Sequence, residues 1–95
     1  MRDYELTVVF SPEISDEDLP AEIEKLGQLI SQKGGVVGET NRWGRRRLAY
    51  PINNHKEGNY VLTNLKMDAS AATELDANLQ SVDQIIRYLL VRPDK

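Results

Sequence analysis

The sequence predicts an α+β domain in which a four-stranded antiparallel sheet carries two helices on one face. Two segments have the apolar spacing of amphipathic helices, and four have the alternating or β-branched pattern of strands. The segments follow one another in the order strand, helix, strand, strand, helix, strand. This order is the split βαβ, or ferredoxin-like (βαββαβ), arrangement, which hosts many functions and does not by itself identify one.

The first strand is expected at residues 4–10, where YELTVVF alternates between two faces. A helix follows, with Ser15 or Asp18 as its N-cap and Pro20 in its first turn. It ends at two consecutive glycines, 34 and 35. Its apolar stripe, spaced by four, three and four residues, consists of Leu19, Ile23, Leu26 and Ile30.

A hairpin is expected next. Its first strand spans residues 36–52, with Gly38 and Gly44 as sites of a bulge or of close backbone approach. Pro51 lacks an amide donor, so this strand belongs at a sheet edge or ends there. The turn-forming composition of residues 53–59 separates it from the third strand at residues 60–67.

The second helix is predicted to begin with Ser70 as its cap. It carries Ala72, Leu75 and Leu79, and a nearly continuous apolar run at residues 85–92 forms the last strand. The sequence contains no internal repeat and no linker, and a chain of 95 residues suits one core. One domain over residues 1–95 is therefore expected.

The inventory of chemically active side chains argues against an enzyme. There is no cysteine, and the single histidine, His55, lies in a polar segment, so thiolate and histidine-rich metal sites are excluded. The paired glycines end a helix, whereas a phosphate-binding loop opens one. We predict no catalytic residue, no metal and no cofactor.

The first residues lack a signal-peptide pattern, and no apolar run reaches the roughly 20 residues of a membrane span, so a cytoplasmic protein without a membrane partner is expected.

Positive charge is concentrated in the middle of an acidic chain. The net charge is −3, yet residues 42–66 hold six basic side chains and one acidic side chain. Four arginines fall within the six positions from 42 to 47. Because surface potentials depend on charge within about 8 Å at physiological salt, this stretch can bind a polyanion despite the overall sign.

Two interpretations of this stretch remain open on the residues alone. Arginines interleaved with Trp43 and Tyr50 are typical of RNA contact, since guanidinium groups bind phosphate and aromatic rings stack on bases. Alternatively, the arginines protect an edge strand from aggregation while both aromatic side chains belong to the core. Strand alternation places Arg45 and Arg47 on one face and Arg46 on the other, unless the chain bends at the preceding glycine.

Three separated segments resemble the bacterial small-subunit ribosomal protein number six family. GRRRLAYPI at residues 44–52, followed by GNYVLTNLKM, resembles its central hairpin. MRDYELTVVF resembles its first strand and IIRYLLVR its last strand. The resemblance extends along the whole chain and implies a non-enzymatic structural component of the small ribosomal subunit.

The resemblance also implies partners and contact residues. The expected partners are the central domain of small-subunit rRNA and small-subunit protein eighteen, which would bind together as a heterodimer during assembly. The residues carried over by the resemblance are Arg2, Tyr4, Arg45, Arg46, Arg47, Arg87 and Arg92. The composition of the basic stretch adds Arg42, Trp43 and Tyr50. Which of them face phosphate and which face the partner protein does not follow from the motif.

A function from a different class is the alternative. Regulatory domains of the same fold bind a small molecule and associate through their sheet edges. Such a protein would form a homodimer, bind a metabolite and ignore rRNA.

Overall fold

The structure is a computed structural model that describes residues 1–52 and 55–92. Within these residues the elements follow the predicted order: β1 (Arg2–Phe10), α1 (Leu19–Gln32), β2 (Val36–Ile52), β3 (His55–Met67), α2 (Ala69–Leu79) and β4 (Ile85–Val91). The strands form one sheet in the order β2-β3-β1-β4, and each neighbouring pair is antiparallel. The predicted ferredoxin-like α+β fold class is confirmed.

The alternation in β1 divides the sheet into two different faces. Its even-numbered side chains from Tyr4 to Phe10 are buried, and they pack with apolar side chains of β3 and of both helices. The helices contribute Leu19, Leu26, Ile30, Ala72, Leu75 and Leu79 to this core. The odd-numbered positions of β1 lie on the opposite face, which we call the open face. Thr7 and Val9 lie there, beside Tyr60 of β3 and Arg87 of β4.

The helix boundaries confirm part of the prediction. Of the two candidate caps for α1, Asp18 occupies the N-cap position, and its amide donates to the Ser15 hydroxyl at 3.2 Å. The helix ends before Gly34, whose φ of +83° is in the left-handed region that favours glycine.

The prediction that Ser70 caps the second helix is wrong. Helix α2 begins at Ala69, and Asp68 occupies the N-cap position with extended backbone angles. The Asp68 carbonyl accepts a hydrogen bond from the amide of Ala72 at 3.0 Å, so the helical ladder already starts there. Ser70 therefore lies inside the first turn.

The hairpin is longer than its composition indicates. The predicted turn at residues 53–59 is wrong for 55–59, because β3 already begins at His55 and pairs with the end of β2. Asn53 and Asn54 lie outside the described residues. Polar side chains suit this part of β3 because it extends beyond β1 as a two-stranded ribbon, and its ladder is made by backbone groups.

Both predicted glycine irregularities in β2 are confirmed. The register with β3 shifts around Gly38 and again between Arg42 and Gly44. A Cβ atom on Gly38 would lie 3.1 Å from the carbonyl oxygen of Asn64, and Gly44 has a φ of +84°. The second bulge bends the strand at the start of its arginine-rich half.

Neither helix of the described ranges is long and apolar enough to cross a bilayer.

Candidate nucleic-acid interface

The arginine-rich half of β2, residues 42–52, forms a projection that we call the basic arm. The last pair between β1 and β3 joins Phe10 to Asn59, and beyond it β2 and β3 pair only with each other. The side chain of Asn59 is 2% exposed and donates to the carbonyl of Ser11 at 3.1 Å, which fixes the base of the projection. The arm thus starts from a rigid part of the sheet.

The basic arm folds back across the open face. In a flat sheet its strand and β4 would be three strand spacings apart, which is about 14 Å. Instead, Arg87 of β4 donates a hydrogen bond from Nη1 to the Tyr50 hydroxyl at 2.7 Å. The Arg87 guanidinium carbon also lies 5.9 Å from the centre of the Tyr50 ring, within reach of a cation–π interaction.

Two further contacts fix the arm. The Nη2 atom of Arg45 donates to the carbonyl oxygen of Pro12, just beyond β1, at 2.9 Å. Leu48 is only 7% exposed, although it belongs to a strand whose neighbouring side chains are exposed. Polar anchors and a buried apolar side chain therefore hold the arm in one position.

A cleft of about 230 Å³ lies between the arm and the sheet. Its lining is mostly apolar and includes Val9, Leu48, Tyr50, Tyr60, Arg87 and Leu89. Leu89 is 59% exposed, so the cleft continues into an apolar surface along β4. The volume is below the roughly 300–1,000 Å³ that small-molecule sites usually occupy.

Aromatic side chains line the same face. The rings of Trp43 and Tyr60 are stacked, with centroids 6.4 Å apart and planes 8° from parallel. The guanidinium carbon of Arg46 lies 5.7 Å from the centre of the Trp43 ring. Trp43 is 46% exposed and Tyr50 is 57% exposed. The interpretation that these two aromatics belong to the core is therefore wrong.

The arginines of the arm are exposed and free of carboxylate partners within the described part of the chain. Four ion pairs occur within residues 1–52 and 55–92, and none of them involves an arginine. Arg45 and Arg46 donate only to backbone carbonyl groups of these residues. None of the guanidinium groups at 42, 45, 46 and 47 forms an ion pair in these ranges, although Glu57 lies across the ladder from Arg47, so they can bind a phosphate ligand.

The predicted alternation along the arm agrees with these contacts. Arg46 lies over Trp43 on the open-face side, whereas Arg45 reaches Pro12 on the other side. Arg47 lies on the same face of the strand as Arg45, and it is opposite Glu57 of β3. The basic arm therefore presents positive charge on both of its sides.

The structure brings together seven of the ten predicted contact residues and separates three. Arg42, Trp43, Arg45, Arg46, Arg47, Tyr50 and Arg87 lie on the arm or directly beneath it. Arg2 and Arg92 are exposed at the opposite end of the sheet, where Arg2 is in register with Met67. Tyr4 is 8% exposed and packs in the core, away from the arm.

Sequence reasoning missed the apolar part of this surface. Leu48 and Leu89 line the cleft, and neither was a candidate. Alternation along β4 places Leu89 on the same face as Arg87, so the sequence alone could have predicted its position. The folding-back of the arm onto that face has no local signal.

Comparison with known proteins identifies the family. The sequence model of the family described as Ribosomal protein S6 matches residues 3–92. The chain belongs to the ribosomal protein S6 family. Among curated relatives, small ribosomal subunit protein bS6 of Desulforudis audaxviator is 38% identical over 94 residues, covering 99% of this chain and 100% of the relative. The bS6 protein of Clostridium novyi is 40% identical over 95 residues, which is the full length of both.

A solved member of the ribosomal protein S6 family has the same fold. The crystal structure of 30S ribosomal protein S6 from Thermotoga maritima superposes with a TM-score of 0.90 at 26% identity, covering 98% of this chain and 88% of that one. The expected family is thereby confirmed, and so are the non-enzymatic, structural role and the place in the small ribosomal subunit, in the cytoplasm.

Proposed function

We propose that this ribosomal protein binds the central domain of small-subunit rRNA, as a heterodimer with small-subunit protein eighteen, during assembly of the subunit. The basic arm is the proposed contact surface. The observation that carries the proposal is the concentration of exposed arginines, free of carboxylate partners in the described ranges, beside exposed aromatic rings on one anchored projection.

The chemistry of the arm supports a phosphate ligand. Guanidinium groups bind phosphate oxygens in a bidentate geometry, and each neutralised phosphate releases condensed counterions. Trp43 and Tyr50 offer exposed rings on which unpaired bases can stack. Since the chain as a whole has a net charge of −3, the attraction is local to the arm.

The apolar surface beside the arm supports a protein partner. Leu89 and Val91 of β4 are 59% and 38% exposed, and they continue the apolar lining of the cleft. Protein interfaces have apolar, aromatic-rich centres, whereas RNA interfaces are more polar and positively charged. We assign the apolar part of the open face along β4 to protein eighteen, and the arm, with its arginines and exposed aromatic rings, to the RNA. The small-molecule alternative does not account for membership of a ribosomal family.

Binding to a central-domain fragment of small-subunit rRNA, with and without protein eighteen, tests this function. We expect salt-sensitive binding that is tight only when both proteins are present. Leu89→Asp distinguishes the protein-binding surface from the RNA-binding surface, because it should abolish heterodimer formation without removing a positive charge. Wild-type protein that is folded and binds neither partner would overturn the proposal.

A further inference from the structure

We propose that Arg87 and Tyr50 form a latch that holds the basic arm across the open face, and that Arg87 is a positioning residue and not a phosphate contact. The proposal deepens the proposed function and rests on it for the consequence in RNA binding. The latch itself is a property of the free protein, so it can be tested separately.

The arm needs such a latch because most of it is paired on one side only. Beyond Asn59 the arm pairs only with the start of β3, and isolated two-stranded ribbons are marginally stable in water. The hydrogen bond between Arg87 and Tyr50 connects residues 37 positions apart, on strands that are not neighbours in the sheet. It therefore fixes the position of the arm relative to β4 in a way that the β2–β3 ladder alone does not.

The contacts of Arg87 distinguish it from Arg42 and Arg47 of the arm. Its guanidinium is engaged by the Tyr50 hydroxyl at 2.7 Å and by the face of the same ring. Both interactions point the group along the open face toward the arm. Arg47, in contrast, makes no side-chain hydrogen bond or ion pair with any residue that the structure describes. Charge at position 87 is used inside the protein, whereas charge at position 47 remains available.

A preformed arm lowers the entropic cost of binding. If the arm is already ordered, the partner does not have to fix its backbone and side chains on association. Loss of the latch should then weaken RNA binding while leaving the number of neutralised phosphates unchanged. Loss of a phosphate contact, by comparison, reduces that number.

Amide hydrogen exchange in the free protein tests the latch directly. Tyr50→Phe keeps the aromatic ring but removes the hydroxyl acceptor, and Arg87→Gln removes the guanidinium donor. We expect each to speed exchange of the arm amides paired across Arg46–Gly58 and Arg47–Glu57 by about five-fold. The double variant should exchange no faster than Arg87→Gln alone, because Arg87→Gln removes both the hydrogen bond and the cation–π contact, whereas Tyr50→Phe removes only the hydrogen bond. Unchanged exchange, or effects that multiply, would overturn the latch.

Salt-titrated RNA binding then tests the assignment of Arg87 as a positioning residue. Tyr50→Phe and Arg87→Gln should each weaken affinity about five-fold with an unchanged salt slope, as long as the complex forms. Lys25→Gln is the charge-matched control, because it removes one positive charge from the exposed surface of α1 and should leave both arm exchange and RNA affinity unchanged. A salt slope that becomes shallower by about one counterion in Arg87→Gln alone would make Arg87 a phosphate contact and overturn its assignment. A wild type that fails to bind RNA, with the exchange result intact, would overturn the proposed function and leave the latch standing.

Discussion

The ring of Trp43 on β2 lies almost parallel to the ring of Tyr60 on β3, 8° from parallel and with 6.4 Å between centroids. The two strands shift register at this point, because the bulge between Arg42 and Gly44 brings Gly44 opposite Tyr60. The bulge therefore turns Trp43 onto the open face, where it is 46% exposed. An exposed tryptophan on a ribosomal protein is a candidate contact residue.

Replacing Trp43 separates its structural and binding contributions. Trp43→Ala removes the stack with Tyr60 and should cost about 0.5–1.5 kcal/mol of folding free energy. If the ring also stacks on RNA, binding should lose a further 1–3 kcal/mol, roughly the value of one base stacked on an aromatic side chain. Urea denaturation and RNA titration measure the two effects, and Trp43→Phe should restore most of both. Binding equal to that of wild type in Trp43→Ala would exclude the ring from the interface.

The bulge at Gly44 predicts an asymmetric response to alanine. Gly44 has a φ of +84°, so Gly44→Ala should destabilise the protein by about 1–2 kcal/mol through backbone strain alone. Gly27 lies inside α1 with open space where a Cβ atom would stand, and Gly27→Ala should stabilise by up to about 1 kcal/mol. Denaturant midpoints compare the two variants. Equal effects of the same sign would contradict this account of the bulge.

Replacing leucine by alanine should cost much stability on the buried face of the sheet and little on the open face. Leu6 is fully buried beneath the helices, and Leu6→Ala should cost about 2–5 kcal/mol through lost packing and the cavity left behind. Leu89 is 59% exposed on the open face, and Leu89→Ala should change stability by less than about 0.5 kcal/mol. Thermal or urea unfolding measures both. A large loss in Leu89→Ala would mean that the free protein already buries the open face.

Tyr88 predicts a pH dependence at alkaline pH. Its hydroxyl donates to the backbone carbonyl of Asp76 at 3.0 Å, which links β4 to α2. Burial raises the pKa of Tyr88 above its ordinary value of 10.0, and the Asp76 carboxyl group adds to the rise. The folded state therefore binds this proton more tightly than the unfolded state does. This stabilisation is fully present below about pH 10 and is lost as the pH rises through the folded pKa.

Tyr88→Phe should accordingly flatten the decline of stability above about pH 10. Urea denaturation between about pH 8 and pH 11 gives the difference between wild type and variant. Since the two proteins differ only at residue 88, the difference between their stability curves isolates Tyr88. Parallel stability curves over the whole range would contradict the proton linkage.

Local signals predicted most of the secondary structure. The helical stripes and the alternation of β1 depend on side-chain periodicity, which the packing of one sheet against two helices satisfies directly. The same alternation groups Tyr4 with Leu6 and Val8, and the structure places all three in the core. The resemblance implies that Tyr4 is a contact residue, and its role at an interface stays a prediction.

The placement of the arm could not be predicted in this way. Its position depends on the contact between Tyr50 and Arg87, which lie on strands that are not neighbours in the sheet. The start of β3 was missed for a related reason, because the backbone ladder at residues 55–58 forms regardless of how polar the side chains are. Tertiary contacts therefore determine the position of the arm, and backbone pairing determines the start of β3; the composition of the sequence reveals neither.

The salt dependence of RNA binding by Arg47→Gln tests the central claim most directly. The assay uses a central-domain rRNA fragment with protein eighteen present, and Lys25→Gln, on the exposed surface of α1, serves as the charge-matched control. We predict that Arg47→Gln weakens binding and makes the slope of log affinity against log salt shallower by about 0.7–0.9, with Lys25→Gln unchanged. Folded Arg47→Gln protein with wild-type affinity and slope would contradict the claim, and aggregation of that variant would favour protection of an edge strand instead.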